Sequence, residues 1–273
     1  MESRELPKAA ALTVKEVTVS FGGITALEDV SMALGTGEVL GVIGPNGAGK
    51  TTLFNVICGF VAPDQGSLSW RGQSLKGVRP HQLAQLGISR TLQGVGLFPT
   101  LTVLENVMVG AQRFRRAHFA SALLGLPTSD RDERALQHRA RETLKRLDCE
   151  RVEGDLPGTL PFAIQKRVAL ARALVADPQL LLLDEPAGGL SSAEMSELTE
   201  LISSLGDQIA VMLVEHHMDL VMSVCDRVTV LDFGRVIASG TPAEIKQNPA
   251  VLEAYLGRET ADESPATATH AGS

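Results

Sequence analysis

The sequence predicts an α/β fold with a mainly parallel core sheet, an antiparallel β flap and an inserted helical subdomain. Apolar, β-rich segments recur at Leu12–Val19, Val39–Ile43, Leu180–Leu183, Ile209–Val214 and Arg227–Leu231, with helical patterns between several of them, the alternation that βαβ units produce. Around Gly66–Arg71 the chain reads instead as short strands joined by Gly-rich turns, an antiparallel flap at the edge. From about Gln93 to Ala171 strand signals are sparse and helical stretches frequent. Within it, Arg131–Leu147 sets Ala135, Leu136, Ala140, Leu144 and Leu147 at helical spacing. The expected boundaries are one large domain over 11–257, with its core at 11–92 and 172–257 and a helical subdomain at 93–171. A tail over 258–273, rich in Ala, Thr and Ser, is expected to be disordered.

With 273 residues and 44% apolar content the chain has ample material for a buried core. A formal charge of −7 argues against general nucleic-acid binding, which rests on neutralising phosphates with Lys and Arg. Cys58, Cys149 and Cys225 lack the short paired spacings of a zinc site or disulfide framework and read as reduced packing residues. Met1–Ala10 leads into no apolar stretch long enough for a signal sequence, and the apolar runs are strand-sized, far below the roughly 20 residues of a spanning helix. If the protein works at a membrane, another chain crosses it. The one basic concentration, seven arginines between Ala111 and Arg141, reads either as a solvated helix face or as a surface near anionic head groups or the loops of a membrane-spanning partner.

The strongest motif follows the strand Val39–Ile43: Gly44, Pro45, Asn46, Gly47, Ala48, Gly49, Lys50 and Thr51 form a G-x-x-x-x-G-K-T loop, with Thr52 opening the helical run Thr52–Cys58. Glycines let the backbone curl until successive N–H groups point inward, and the helix N-terminus adds partial positive charge, which suits a β-phosphate. Lys50 would neutralise the β- and γ-phosphates, and Thr51 would offer its hydroxyl to Mg²⁺. Leu180–Leu183 ends in two acids at the strand edge where α/β folds keep their ligands. Asp184 would hold Mg²⁺, and Glu185 would orient and deprotonate the attacking water.

Together these motifs resemble an ATP-binding cassette (ABC) of the P-loop NTPases over roughly residues 11–257. The resemblance implies further roles. Gln93 stands where the family's Q-loop glutamine touches Mg²⁺ and the water. His216 matches the switch histidine that reaches the γ-phosphate, and Phe21 matches the aromatic residue that stacks on adenine. Ser89–Gln93, Leu101–Val107, Asp184–Leu190, Asp226–Val228 and Ala254–Gly257 are most similar to the LivG-like ATP-binding subunits of branched-chain amino-acid importers. Such a resemblance implies ATP and Mg²⁺ as cofactors and integral membrane permease subunits, a second cassette and, indirectly, an extracytoplasmic solute-binding protein as partners. It also implies a peripheral position on the cytoplasmic face of the membrane and no role for nucleic acid.

The chain departs from the family at the signature, which in these head-to-tail dimers completes the partner's ATP site and usually reads L-S-G-G-Q. Here it reads Leu160, Pro161, Phe162, Ala163, Ile164. Pro161 has neither hydroxyl nor N–H, and Ala163 adds a methyl where close approach is wanted. The loss of one such donor costs on the order of 3 kcal/mol of transition-state stabilisation. Ser191 stands where many cassettes have aspartate, and His217 where an acid is common. A heterodimer whose other cassette supplies an intact signature follows as the expectation. A regulatory cassette with little hydrolysis and a non-transport ABC ATPase are the alternatives.

Overall fold

The computed structural model describes residues 10–91, 94–114 and 127–262. Its strands are β1 (Ala10–Phe21), β2 (Ile24–Gly35), β3 (Val39–Ile43), β4 (Gln65–Trp70), β5 (Gln73–Ser74), β6 (Ile88–Arg90), β7 (Leu180–Asp184), β8 (Ala210–Val214), β9 (Arg227–Asp232) and β10 (Arg235–Gly240). The helices are α1 (Lys50–Ile57), α2 (Val103–Gly110), α3 (Pro127–Arg146), α4 (Phe162–Leu174), α5 (Ser192–Gly206), α6 (Met218–Val224), α7 (Pro242–Lys246) and α8 (Pro249–Asp262).

The core sheet has the order β10-β9-β3-β8-β7-β6; all its neighbours run parallel except β10, which closes one edge antiparallel. Strands β3, β7 and β8 are buried at every position, as a sheet covered on both faces requires. The flap is a separate four-stranded antiparallel sheet, β2-β1-β4-β5. The segment Leu12–Val19, grouped above with the core strands, belongs to this flap, and β1 and β2 are long strands of 12 residues each. An apolar strand pattern fixes which face is buried and leaves open which sheet the strand joins.

Two apolar clusters flank the core sheet. One joins the flap to α1 through Leu12, Val30, Leu53, Phe54 and the inner faces of β3, β7 and β8. The other joins α2, α3 and α4 to the opposite faces of β7 and β8 through Val103, Leu144, Ala171, Leu181 and Leu213. The helical segment thus packs under the sheet that carries the acidic pair. Helix α2 approaches α4 so closely that a methyl on Gly110 would overlap the carbonyl oxygen of Arg172.

Of the arginine concentration, Arg113 and Arg139 both lie over the ring of Phe114, with guanidinium carbons 4.6 and 3.8 Å from its centroid. Arg113 donates to the Ala84 and Asp177 carbonyls, Arg139 pairs with Asp177, and Arg141 pairs with Glu153 at 3.0 Å. Arg113 and Arg139 thus fasten the helical segment to the core, Arg141 pairs within the segment, and Arg131 and Arg134 are exposed to solvent; Arg115 and Arg116 lie outside the described residues. The last helix, α8, runs to Asp262, past the end expected at Gly257, and the rest of the tail lies outside the described residues. The three cysteines are buried and free. No described helix is long and apolar enough to cross a membrane.

Candidate nucleotide site

Strand register brings the site together. Val42 of β3 and Asp184 of β7 both pair with Val214 of β8, so three parallel strands end side by side. The glycine-rich loop, the acidic pair and Glu215–His217 therefore leave the sheet on one edge, where an open α/β sheet holds ligands.

The loop turns sharply off β3. Gly44 has φ 152°, and a methyl there would overlap the carbonyl oxygen of Leu231 on β9. Gly49, at φ 99°, lies so close to the flap that its methyl would stand 2.6 Å from the Ala26 oxygen. Only glycine fits both the dihedrals and the spaces. Gly49 is also the N-cap of α1, with no side-chain cap, so the first amides of the helix are left for an anion. Lys50 folds back and donates from Nζ to the carbonyls of Gly44 (2.6 Å) and Pro45 (2.9 Å), which closes the loop upon itself. The β9–β10 turn supports it from below: the Gly234 N–H donates to Ala48, and the Glu28 N–H to Gly234. Phe21, at the end of β1, is half exposed.

Asp184 is buried at the end of β7. Burial pushes its carboxyl above the ordinary range, with Arg90 opposing and Glu185 adding to the rise. Glu185 continues the sheet, its N–H donating to the Val214 carbonyl at 2.9 Å, in a left-handed conformation at φ 47°. A non-glycine residue there stores strain of about 1–3 kcal/mol and turns its side chain off the strand line. Lys166 of α4 secures that turn by donating to the carbonyls of Glu185 (3.2 Å) and Pro186 (2.7 Å). Burial pulls the Lys166 ammonium down, while Glu215 and Glu185 oppose the drop.

His216 is largely exposed beyond β8, its ring 4.2 Å from that of His217. Below it Glu215, fully buried, accepts N–H groups from Ala187 (2.7 Å), His216 (2.8 Å) and His217 (3.1 Å), and Nδ1 of His217 lies 2.9 Å away. Burial alone would raise its carboxyl; these hydrogen bonds outweigh it and hold the group below the ordinary glutamate range. Glu215 was not singled out from the sequence, nor were Arg90 and Lys166. A charged residue closing a buried strand run was the available signal for Glu215. Gln93 lies outside the described residues; Arg90, the last residue of β6, pairs with Leu182 of β7.

At the signature, Pro161 is the N-cap of α4 and offers no side-chain cap. Phe162 is partly exposed and lies against Gly189, where a methyl would meet its ring at 2.9 Å. Leu160 and Ile164 pack into the core, and Gln165 Nε2 donates to the Leu160 carbonyl. Ser191, in place of aspartate, caps α5: its hydroxyl accepts the Glu194 N–H, while Glu194 accepts in return from the Ser191 N–H at 2.8 Å. The replacement keeps the capping function because both residue types cap well.

The ABC transporter family pattern matches residues 27–188, and that of the branched-chain amino acid ATP-binding cassette transporters matches residues 235–261. The chain is 40% identical to LivG of Salmonella typhimurium and 38% identical to BraF of Pseudomonas aeruginosa, both high-affinity branched-chain amino acid transport ATP-binding proteins. Each match spans 90% of this chain and 97% of the relative. Two solved structures superpose with TM-score 0.78. One is a nucleotide-free ATP-binding cassette from an ABC transporter, 29% identical over 90% of this chain and 98% of that one. The other is the ADP conformation of such a cassette, 28% identical over 92% and 100%. The chain therefore belongs to the ABC transporter family of ATPases, among its branched-chain amino acid ATP-binding cassettes.

Proposed function

We propose that the chain binds Mg-ATP at this strand edge and hydrolyses it to drive an importer of branched-chain or related amino acids. The alignment of three strand ends, with Val42 and Asp184 both in register with Val214, is the observation that carries the reading. The backbone N–H groups of Gly44 and of Asn46–Thr52 cradle the phosphates, the Lys50 ammonium leaves its loop carbonyls for phosphate oxygens, and Phe21 stacks on adenine. Asp184, Thr51 and Gln93 would hold magnesium, which when bound would neutralise phosphate charge. Glu185 takes the proton of the attacking water while His216 reaches the γ-phosphate. The names of the relatives support the solute class. Permease subunits, an extracytoplasmic solute-binding protein acting indirectly and a place on the cytoplasmic face complete the assembly.

The partner cassette differs from this chain. With Pro161 at the N-cap and Ala163 in the first turn, α4 offers a partner's γ-phosphate little beyond its remaining amides and dipole. The site built on Lys50 and Glu185 is completed by the other cassette's signature and turns over; the opposite site is slow. A regulatory cassette with little hydrolysis draws on the same signature, but Glu185 retains the position of a water-activating base.

Glu185→Gln should keep ATP binding and abolish turnover in the assembled transporter, whereas Lys50→Ala should weaken binding itself. Equal ATPase rates for Glu185→Gln and wild type would refute the assignment. Nucleotide trapping on the complex tests the asymmetry: one fast site per dimer is expected, and two equally fast sites would remove it.

A further inference from the structure

We propose that Arg90 is a positioning residue for the metal-binding carboxylate: it holds one oxygen of Asp184 and so presents the other to magnesium. The proposal rests on the nucleotide-site reading above and deepens it. Arg90 ends β6, the edge strand from which the chain departs toward Gln93. Its Nη2 lies 3.3 Å from Asp184 Oδ2, and its Nη1 donates to Asn55 Oδ1 on α1 at 3.3 Å. The guanidinium carbon sits 4.9 Å from the centroid of the Phe54 ring and 5.2 Å from that of Phe60. One side chain thus touches the strand entering the Q-loop, the acidic strand end and the helix that begins with Lys50 and Thr51.

The chemistry requires arginine. A planar fork reaches two acceptors in different directions while its faces rest on aromatic rings; a lysine ammonium is a single point on a flexible stem. Both partners are withdrawn from water, with side-chain exposures of 16% for Arg90 and 4% for Asp184. The buried Cys58 thiol also lies against the guanidinium, which is enclosed on several sides. Buried ion pairs can often be replaced by apolar residues without loss of stability, so the pair is better explained by what it orients.

What it orients is a soft torsion. The outer torsion of an aspartate side chain is broad and two-fold, so an unrestrained carboxylate swings both oxygens through the site. The charged contact to Oδ2 fixes the plane, and no hydrogen bond from the described residues reaches Oδ1. The backbone of Asp184 is tied to the same strand exit, since its N–H donates to Thr91 Oγ1 at 3.3 Å. Groups that orient a metal ligand in this way typically set affinity by about 10–100-fold.

Calorimetry on the full-length chain separates orientation from general stability by measuring ADP affinity in EDTA and in Mg²⁺. Wild type gains affinity from Mg²⁺, and Asp184→Asn loses that gain. Arg90→Gln is expected to bind ADP in EDTA within twofold of wild type while its magnesium gain falls about tenfold, and Arg90→Lys should recover part of it. An unchanged magnesium gain in Arg90→Gln overturns the proposal, as does an equal fall with and without metal, which would mark a structural staple. Should Arg90→Gln not fold, Arg90→Lys carries the comparison: about a threefold loss of the gain supports the role, and no loss overturns it. Wild type without ADP uptake, or without any magnesium gain, would refute the nucleotide site itself.

Discussion

At Gly44 the backbone needs both a dihedral and a space that only glycine has, because the loop passes directly over the Leu231 carbonyl. Gly44→Ala should therefore abolish nucleotide binding even though it deletes no functional group, which equilibrium binding of ADP would show. Gly47 has a positive φ but open space around it, so Gly47→Ala should be milder, limited to local strain of about 1–3 kcal/mol. Glu215 should behave as a buried strut: Glu215→Gln replaces one acceptor oxygen by a donor facing N–H groups. We expect a lower melting temperature and slower turnover together, with ADP affinity retained. The glycine loop and the acidic pair were legible in the sequence because each is contiguous, with spacing that itself states the chemistry. Arg90 and Lys166 were not legible, because their partners lie 94 and 19 to 20 residues away and meet them only after β6, β7 and α4 have packed.

Among the elements, the buried strands β3, β7 and β8 were legible from unbroken apolar runs, whereas the sheet to which β1 belongs was not. Alternation along a strand says which side chains are covered, and pairing partners are chosen by tertiary packing. Helix α5 shows the same limit at its start: Ser191 could be read as a departure from a motif, yet the structure makes it a cap. Ser191→Ala should lower the melting temperature and Ser191→Asp should not, since aspartate restores an acceptor at the same position. Helix α2 depends on contact at one point, and Gly110→Ala should destabilise the helical segment by about 1–3 kcal/mol or more, visible as a lower denaturation midpoint.

For the whole molecule, burial raises the Cys58 and Cys149 thiols to about 11 and Cys225 to about 12. Because the folded chain holds these protons more tightly than the unfolded one, the associated stability is complete below about 9, the ordinary thiol value, and is lost as pH rises through 11 to 12. Thiol-alkylating reagent at neutral pH should leave the native protein unlabelled and modify it fully in denaturant. Partial native labelling would contradict the closed core. Assembly is where restoring Pro161→Ser with Ala163→Gly should matter: the opposite ATP site of the dimer should accelerate, and trapping should then report two fast sites.

The support beneath the glycine loop comes from residues 231–234, almost two hundred positions downstream. Because these contacts span the chain, the loop is expected to take its final shape only once the β9–β10 turn has docked. A nascent or truncated chain stopping short of that turn would carry every residue of the phosphate motif and still lack a pocket. Nucleotide uptake is thus expected only from chains in which residue 234 has been made and docked.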